Sequence, residues 1–193
     1  MKKDKIIFLD MDGVLVDLLS QIESYFGLPK GKLYKTKNPG NIHLDVVMTE
    51  KDFWGKFDRI NFWASLPKYP WSDDLVHHCI NKEDFGYKTI ILTSPSKTAL
   101  NSATGKLMWL KKHYPFFISA NEVIITNNKD SLAGAGRILI DDTLKKCFGF
   151  LDSGGKSILF PQPYNKNTVM DEGGDFFKPK NIKEVFKIIK GLK

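Results

Sequence analysis

Four places along the 193-residue chain carry residue types that could act together on a phosphoryl group. Asp10 and Asp12 close the apolar run "KIIFLDMDG", with Gly13 behind them, and Thr93 and Ser94 close a second run, "KTIILTS". Lys129 follows a third, "EVIITNNK", and Asp141 and Asp142 end a fourth, "RILIDD". Neighbouring carboxylates repel, and an apolar setting raises the cost of their charge unless a cation compensates. Carboxylates converging from two segments make a hard oxygen site suited to Mg2+, which keeps waters and phosphate oxygens among its ligands. Hydroxyls and a lysine beside such a site suit a phosphate. Each feature alone has a plainer reading: a turn for D-x-D, a helix cap for Thr-Ser or Asp-Asp, a surface position for Lys129. Their recurrence at the ends of four successive apolar runs favours chemistry.

The elements that must position these groups follow from hydrophobic pattern. "KIIFL" is a continuous apolar run, the mark of a strand buried on both faces of a parallel sheet. "KTIILTS", "EVIIT", "RILIDD" and "KSILF" bring the expected strands to five. A helix is expected from Val16 to Phe26, stopping at Gly27. Another starts with Ser72 as its N-cap and Asp73 and Asp74 in its first turn. A third should bury Leu100, Ala103, Leu107 and Leu110 and close at Pro115. A short helix carries Leu144, Cys147, Phe148 and Leu151, and a closing one carries Ile182, Val185, Phe186 and Ile189. Strands alternating with helices predict an α/β fold, a Rossmann-like parallel sheet with helices on both faces. In such sheets ligands bind beyond the carboxyl ends of the strands, where all four groups fall. Residues 1–17 and 72–193 are expected to form this core. Residues 18–71, irregular and rich in aromatics such as Phe53, Trp54 and Phe57, are expected to form an inserted helical cap subdomain.

Composition narrows the class. A hydrophobic fraction of 42% with 12% aromatics suffices for a packed core and excludes global disorder. No apolar run reaches the roughly 20 residues of a membrane helix. Asp10 and Asp12 interrupt the N-terminal run where a signal peptide would not tolerate them. Cys79 and Cys147 lack zinc spacing, which points to a reducing, cytoplasmic setting. The net charge is +7, with six lysines against Glu184 between Lys178 and Lys193 and a second cluster at Lys30, Lys32, Lys35 and Lys37. Such runs form solvated faces more often than nucleic-acid sites, so a nucleic-acid partner is the minority reading, which composition alone does not decide. "GFLDSGGKS" imitates a P-loop, but its glycine spacing is wrong and it precedes a strand.

"DMDGVLVD", "ILTSPSK", Lys129 and "ILIDD" together resemble the four motifs of the haloacid dehalogenase superfamily of phosphatases, from about Lys5 to Phe160. With "LFPQPYN" added, the chain is most similar to the 5′(3′)-deoxyribonucleotidases. The resemblance implies that Asp10 is a nucleophile that forms an aspartyl-phosphate. It implies that Asp12 protonates the leaving alkoxide, then deprotonates the attacking water, and touches the metal through its backbone carbonyl. Gly13 would let the chain turn so that backbone N–H groups face the phosphate. Thr93 and Ser94 would hold phosphate oxygens, and Lys129 would offset the charge shared by Asp10 and the phosphate. Asp142 aligns with the family's metal-binding aspartate, and Asp141 would act directly or through water. Mg2+ is the implied cofactor.

The superfamily places a small helical cap between its first two motifs, where it closes over the site and selects the leaving group. Phe62 and Trp63 are the first candidates for stacking on a base, with packing in the cap's own core as the alternative. Leu18 stands where family members often carry an aromatic over the sugar or base, and Lys97 of "TSPSK" is a further candidate for substrate contact. The expected activity is a Mg2+-dependent phosphomonoesterase acting on small nucleoside monophosphates, with deoxyribose favoured. Two alternatives stay open: the same chemistry on a phosphosugar or nucleic-acid end, or a non-catalytic nucleotide- or metal-binding protein. The intact Asp10 and Asp12 argue against the latter.

Overall fold

The computed structural model describes residues 5–36, 41–82, 85–167 and 174–192. Lys37 and Lys193, counted among the basic clusters, lie outside the described residues. Strands β1 (Lys5–Leu9), β2 (Tyr87–Thr93), β3 (Val123–Ile125), β4 (Arg137–Asp141), β5 (Lys156–Leu159) and β6 (Phe176–Phe177) form one parallel sheet. Their order is β3-β2-β1-β4-β5-β6. The chain therefore winds outward from β1 through β2 and β3, then returns to place β4 on the other flank of β1. The crevice where the winding reverses lies between β1 and β4, and it is there that such sheets bind ligands. Strand β6 was not expected, because two phenylalanines show no strand periodicity; Ser157 N–H donates to Asp175 O at 2.9 Å to start the pairing.

Eight helices accompany the sheet among the described residues: α1 (Leu18–Tyr25), α2 (Glu50–Gly55), α3 (Ile60–Ala64), α4 (Ser72–Ile80), α5 (Ser102–His113), α6 (Pro115–Ser119), α7 (Leu144–Asp152) and α8 (Ile182–Gly191). Alternation along the strands splits the core in two. Ile7, Leu9, Ile91, Ile138 and Ile140 face the larger core with Leu75 and Val76 of α4, Trp109 of α5 and Val185 and Ile189 of α8. Phe8, Leu92 and Leu139 face the other side, where Phe150 of α7 meets Phe8 edge-on at 5.9 Å. Burying one such side chain is worth about 1.5–3 kcal/mol. On α8 the buried and exposed faces separate cleanly, with Lys183, Lys187 and Lys190 outward. Lys82 donates to Lys190 O at 3.0 Å and so brings a cation to the helix C-terminus.

Three local expectations need correction. Helix α1 begins two residues late, because Asp17 accepts from Ser20 N–H as the cap and Val16 is held in bridges to Asp12 and Lys68. Ser72 is the first helical residue of α4 and not its cap; its hydroxyl donates to Leu15 O at 2.7 Å. The apolar stripe read from the sequence is split: Leu110 is buried, but Leu100, ahead of α5, is 77% exposed and Leu107 39% exposed. The face that packs holds Gly105, Lys106, Trp109 and Leu110. A Cβ on Gly105 would lie 2.7 Å from Ile60 O and collide with Trp63, so glycine is what lets α3 seat against α5. Pro115 ends α5 and also opens α6, where its missing N–H costs nothing.

Residues 18–71 contain helices and 3-10 turns, the latter at Leu33–Lys35 and Ile42–Val46, and no strand among the described residues. Phe26, Phe53, Phe57 and Phe62 interlock there, and their rings join the larger core through Trp63. Trp109 Nε1 donates to Leu66 O at 2.8 Å and Trp71 Nε1 to Val14 O at 3.0 Å. The segment is thus fastened to the sheet by packing and by directed bonds.

Candidate active site

Asp10 follows β1, Asp141 ends β4 and Asp142 follows it, so the reversal of strand order brings the three together. One oxygen of each lies within 4.8 Å of the others. Lys129, on the turn after β3, places Nζ 2.7 Å from Asp141 Oδ2 and 2.9 Å from Asp10 Oδ1, and it is 1% exposed. The remaining oxygen of Asp141 accepts from Thr143 N–H at 2.8 Å, so both its oxygens are held from within the protein. Asp142 accepts from the Tyr164 hydroxyl, and its backbone oxygen accepts from Asn165 Nδ2 at 2.8 Å.

Gly13 has φ +74°, and a Cβ there would collide with the Asp142 carboxylate and stand 2.7 Å from Tyr164 Oη. Its N–H donates to Val16 O at 3.0 Å and its carbonyl accepts from Gln162 Nε2 at 2.5 Å. Gly13 therefore leaves room for Asp142, and its own N–H is engaged inside the loop.

Asp12 turns its carboxylate away from this cluster. Its Oδ2 accepts from Lys106 Nζ at 2.6 Å. Lys106 also donates to Ser94 O at 2.5 Å and to Thr93 Oγ1 at 3.1 Å, and lies 5.3 Å from the centre of the Trp63 ring. The sequence reading gave Lys106 no role, because a lysine between Gly105 and Leu107 on a helix looks solvated. Ser94 lines the cavity and donates to Thr126 O at 3.1 Å. Thr93 is fully buried behind it, its hydroxyl engaged by Lys106.

Burial pushes the Asp10 carboxyl up to about 7, against the pull of Lys129 and with Asp141 and Asp12 adding repulsion. Burial, then Asp141 and Asp10, hold Asp142 well above the usual carboxylate range. Lys129 is the reverse: burial opposes its charge, but Asp10 and Asp141 hold it above the ordinary lysine value. Four carboxylates thus face two buried lysines, leaving negative charge uncompensated. Asp10 Oδ1 and Asp12 Oδ1 are buried without a directed hydrogen bond, although Oδ1 of Asp10 has the Lys129 ion pair beside it. The all-oxygen, net-negative donor set of Asp10, Asp141 and Asp142 fits a hard divalent cation such as Mg2+. Asp10 and Asp142 have ligand capacity to spare; Asp141 has less.

These groups open on a cavity of about 450 Å³. Residues 18–71 contribute Leu18, Leu19, Ile42, Trp54 and Tyr69 to its wall, and the first turn of α7 contributes Lys145 and Lys146. Lys146 Nζ donates to Asn127 O at 2.8 Å. Phe62, Trp63 and Lys97 do not line it. Trp63 is 2% exposed, donates Nε1 to Phe57 O at 2.8 Å and is a core residue. Phe62 packs on Phe57 and borders a separate shallow depression beside Arg59 and Asn101. Lys97 is exposed away from the wall. The indole that does reach the cavity is Trp54, stacked on Trp63 at 6.1 Å.

Solved structures share this architecture. L-2-haloacid dehalogenase from Xanthobacter autotrophicus superposes with a TM-score of 0.59 at 13% identity, covering 99% of this chain and 100% of that one. A HAD-hydrolase from Bacillus subtilis, solved bound to magnesium, gives 0.56 at 13% identity over 97% and 99%. At such identities the likeness establishes the fold, which is that of the HAD-like hydrolases. Residues 4–191 match the family model described as 5′ nucleotidase, deoxy (pyrimidine), cytosolic type C, and the chain belongs to that family. It is a phosphoric monoester hydrolase by that membership. The chain is similar to the 5′(3′)-deoxyribonucleotidases of Bacillus subtilis strain 168 and of Bacillus phage SPbeta, each 28% identical over 177 residues, 84% of this chain and 88% of theirs.

Proposed function

We propose that the protein hydrolyses (deoxy)nucleoside monophosphates to nucleoside and phosphate, using Mg2+ and an aspartyl-phosphate on Asp10. The observation that carries this reading is the Asp10 carboxylate itself, buried at the strand-order reversal with Lys129 2.9 Å from its Oδ1 and Asp141 and Asp142 gathered beside it. The family and the names of the two bacillary relatives support a nucleotide as the substrate.

In this reading Asp10 attacks phosphorus in line with the P–O bond to the nucleoside, forming its acyl phosphate as that bond breaks. Asp12 gives its proton to the departing alkoxide and then removes one from the water that cleaves the acyl phosphate, returning Asp10 to its carboxylate. Lys129 stays within reach of Asp10 throughout and lowers the cost of the charge gathered on the phosphoryl oxygens. Ser94 is the hydroxyl at the cavity wall that can meet a phosphate oxygen. Asp10 and Asp142, with the backbone of Asp12, would hold Mg2+, which supplies Lewis-acid neutralisation of phosphate charge when bound.

Residues 18–71 act as a cap over the site in this reading, and Trp54, Leu18 and Ile42 form the apolar wall against which a base would lie. The setting is cytosolic, in keeping with the family description; no described helix is long and apolar enough to cross a membrane. Assay of nucleoside 5′- and 3′-monophosphates, a phosphosugar, an oligonucleotide bearing a terminal phosphate and an aryl phosphate, each with Mg2+ and with EDTA, tests the proposal. Mononucleotides should lead by more than about tenfold in kcat/KM, and only with Mg2+. A phosphosugar or polynucleotide in the lead would displace the mononucleotide reading.

A further inference from the structure

Lys106 takes no part in the chemistry assigned above, yet it is 1% exposed. An ammonium withdrawn from water survives only where charge and hydrogen bonds replace its hydration. A lysine has three N–H donors and no acceptor. Here all three have partners inside the protein: Asp12 Oδ2 at 2.6 Å, Ser94 O at 2.5 Å and Thr93 Oγ1 at 3.1 Å. None is left for a substrate, which distinguishes Lys106 from a phosphate ligand. The Trp63 ring, 5.3 Å away, covers it on a further side. Gly105, by lacking a Cβ, lets Trp63 come close enough to do so.

We infer that Lys106 is a positioning residue for the Asp12 carboxyl. By holding Oδ2, it leaves Oδ1, buried and without a hydrogen-bond partner, as the oxygen that exchanges a proton with the leaving group and the water. Its other two bonds fix the backbone and hydroxyl of the Thr93–Ser94 turn against the same point, so the acid and the phosphate-facing Ser94 are set in one register. The inference rests on the reading of Asp12 as general acid and base.

The test compares two substrates in single-turnover reactions of the full chain with Mg2+: a nucleoside 5′-monophosphate, whose alkoxide needs a proton, and 4-nitrophenyl phosphate, whose leaving group scarcely does. Lys106→Met should slow phosphoryl transfer from the nucleotide about 100-fold, the lower end of what general acid catalysis contributes, and from the aryl phosphate less than about fivefold. Nucleotide KM should stay within about threefold of wild type, since the lysine has no free donor. Lys106→Arg keeps the charge but not the tripod, and should show the same split at about tenfold, so the test survives if the methionine variant does not fold. Equal losses on both substrates, or no loss on either, would overturn the inference. Asp12→Asn run alongside separates the two readings: if it shows the split and the Lys106 variants do not, only the positioning role fails. If Asp12→Asn itself loses equally on both, the acid–base role fails first.

Discussion

Lys129 Nζ stands 2.9 Å from Asp10 Oδ1, and both side chains are shut away from solvent at the end of the central strand. One lysine shared with Asp141 does not suffice to keep Asp10 ionised, since burial still lifts it from 3.8 to about 7. The folded protein then holds a proton that the unfolded chain releases near pH 4. Without a divalent cation, the stability tied to that proton is complete below about pH 4 and is lost as pH rises through about 7. A cation takes the proton's place, so its stabilising effect should grow across the same window. Thermal melts at about pH 5 and about pH 8, with and without Mg2+, should give the larger rise in Tm at the higher pH. An equal rise at both would mean that Mg2+ does not draw on Asp10.

Asp10→Asn keeps size and removes charge. Turnover of a nucleoside monophosphate should fall at least about a thousandfold, on the order of 4 kcal/mol in the barrier. The metal-free variant at about pH 8 should melt no lower than wild type, because a buried charge has been relieved. A variant retaining a tenth of wild-type activity would remove Asp10 from the reaction.

Gly13→Ala puts a methyl into space held by the Asp142 carboxylate and Tyr164, at a φ of +74°. The strain should cost about 1–3 kcal/mol in denaturant unfolding. Mg2+-dependent activity should drop by a larger factor than stability explains, because Asp142 must move. Activity that simply tracks the folded fraction would show that Gly13 matters to the turn alone.

How much of this was readable in advance depended on whether the determinants were local. Strands β1, β2 and β4 are apolar runs ended abruptly by Asp10, Thr93 and Asp141, and each run states its own burial. The site followed, since a parallel sheet gathers the carboxyl ends of neighbouring strands. The face of α5 was misread for the opposite reason. Leu100 and Leu107 look like core residues, but Gly105 decides which side α3 approaches, and Lys106 is buried because Asp12 waits 94 residues earlier in the chain. The same limit applied to the aromatics of residues 53–63: five rings close in sequence offer no sign that Trp54 reaches the cavity while Trp63 is enclosed.

Trp54→Ala separates those two indoles by function. If a base lies on Trp54, nucleotide binding should weaken by about 1–3 kcal/mol, the range for base–aromatic stacking, while a phosphate ester without a base is unchanged. Isothermal titration with a catalytically silent variant reads this directly. Equal weakening for both ligands would move the base elsewhere in the cavity.

The basic C-terminal helix offers a contrast with the polynucleotide alternative. Lys183, Lys187 and Lys190 are exposed on α8, and their joint change to Gln should leave mononucleotide kcat/KM within about twofold at physiological salt, where the Debye length is about 8 Å. Loss of affinity for an oligonucleotide end, with a shallower salt dependence, would instead favour a nucleic-acid substrate.

The account stands or falls on a covalent phosphate at Asp10. Wild-type protein mixed with Mg2+ and a phosphate-labelled nucleoside monophosphate, acid-quenched within a turnover and digested, should yield label on the peptide that contains Asp10. Borohydride reduction of the acyl phosphate should then convert that one aspartate to homoserine, and the Asp12→Asn variant, loaded from an aryl phosphate whose leaving group scarcely needs a proton, should accumulate more of the adduct than wild type. Turnover with no trapped phosphoenzyme in either protein, or label on any other residue, would contradict it.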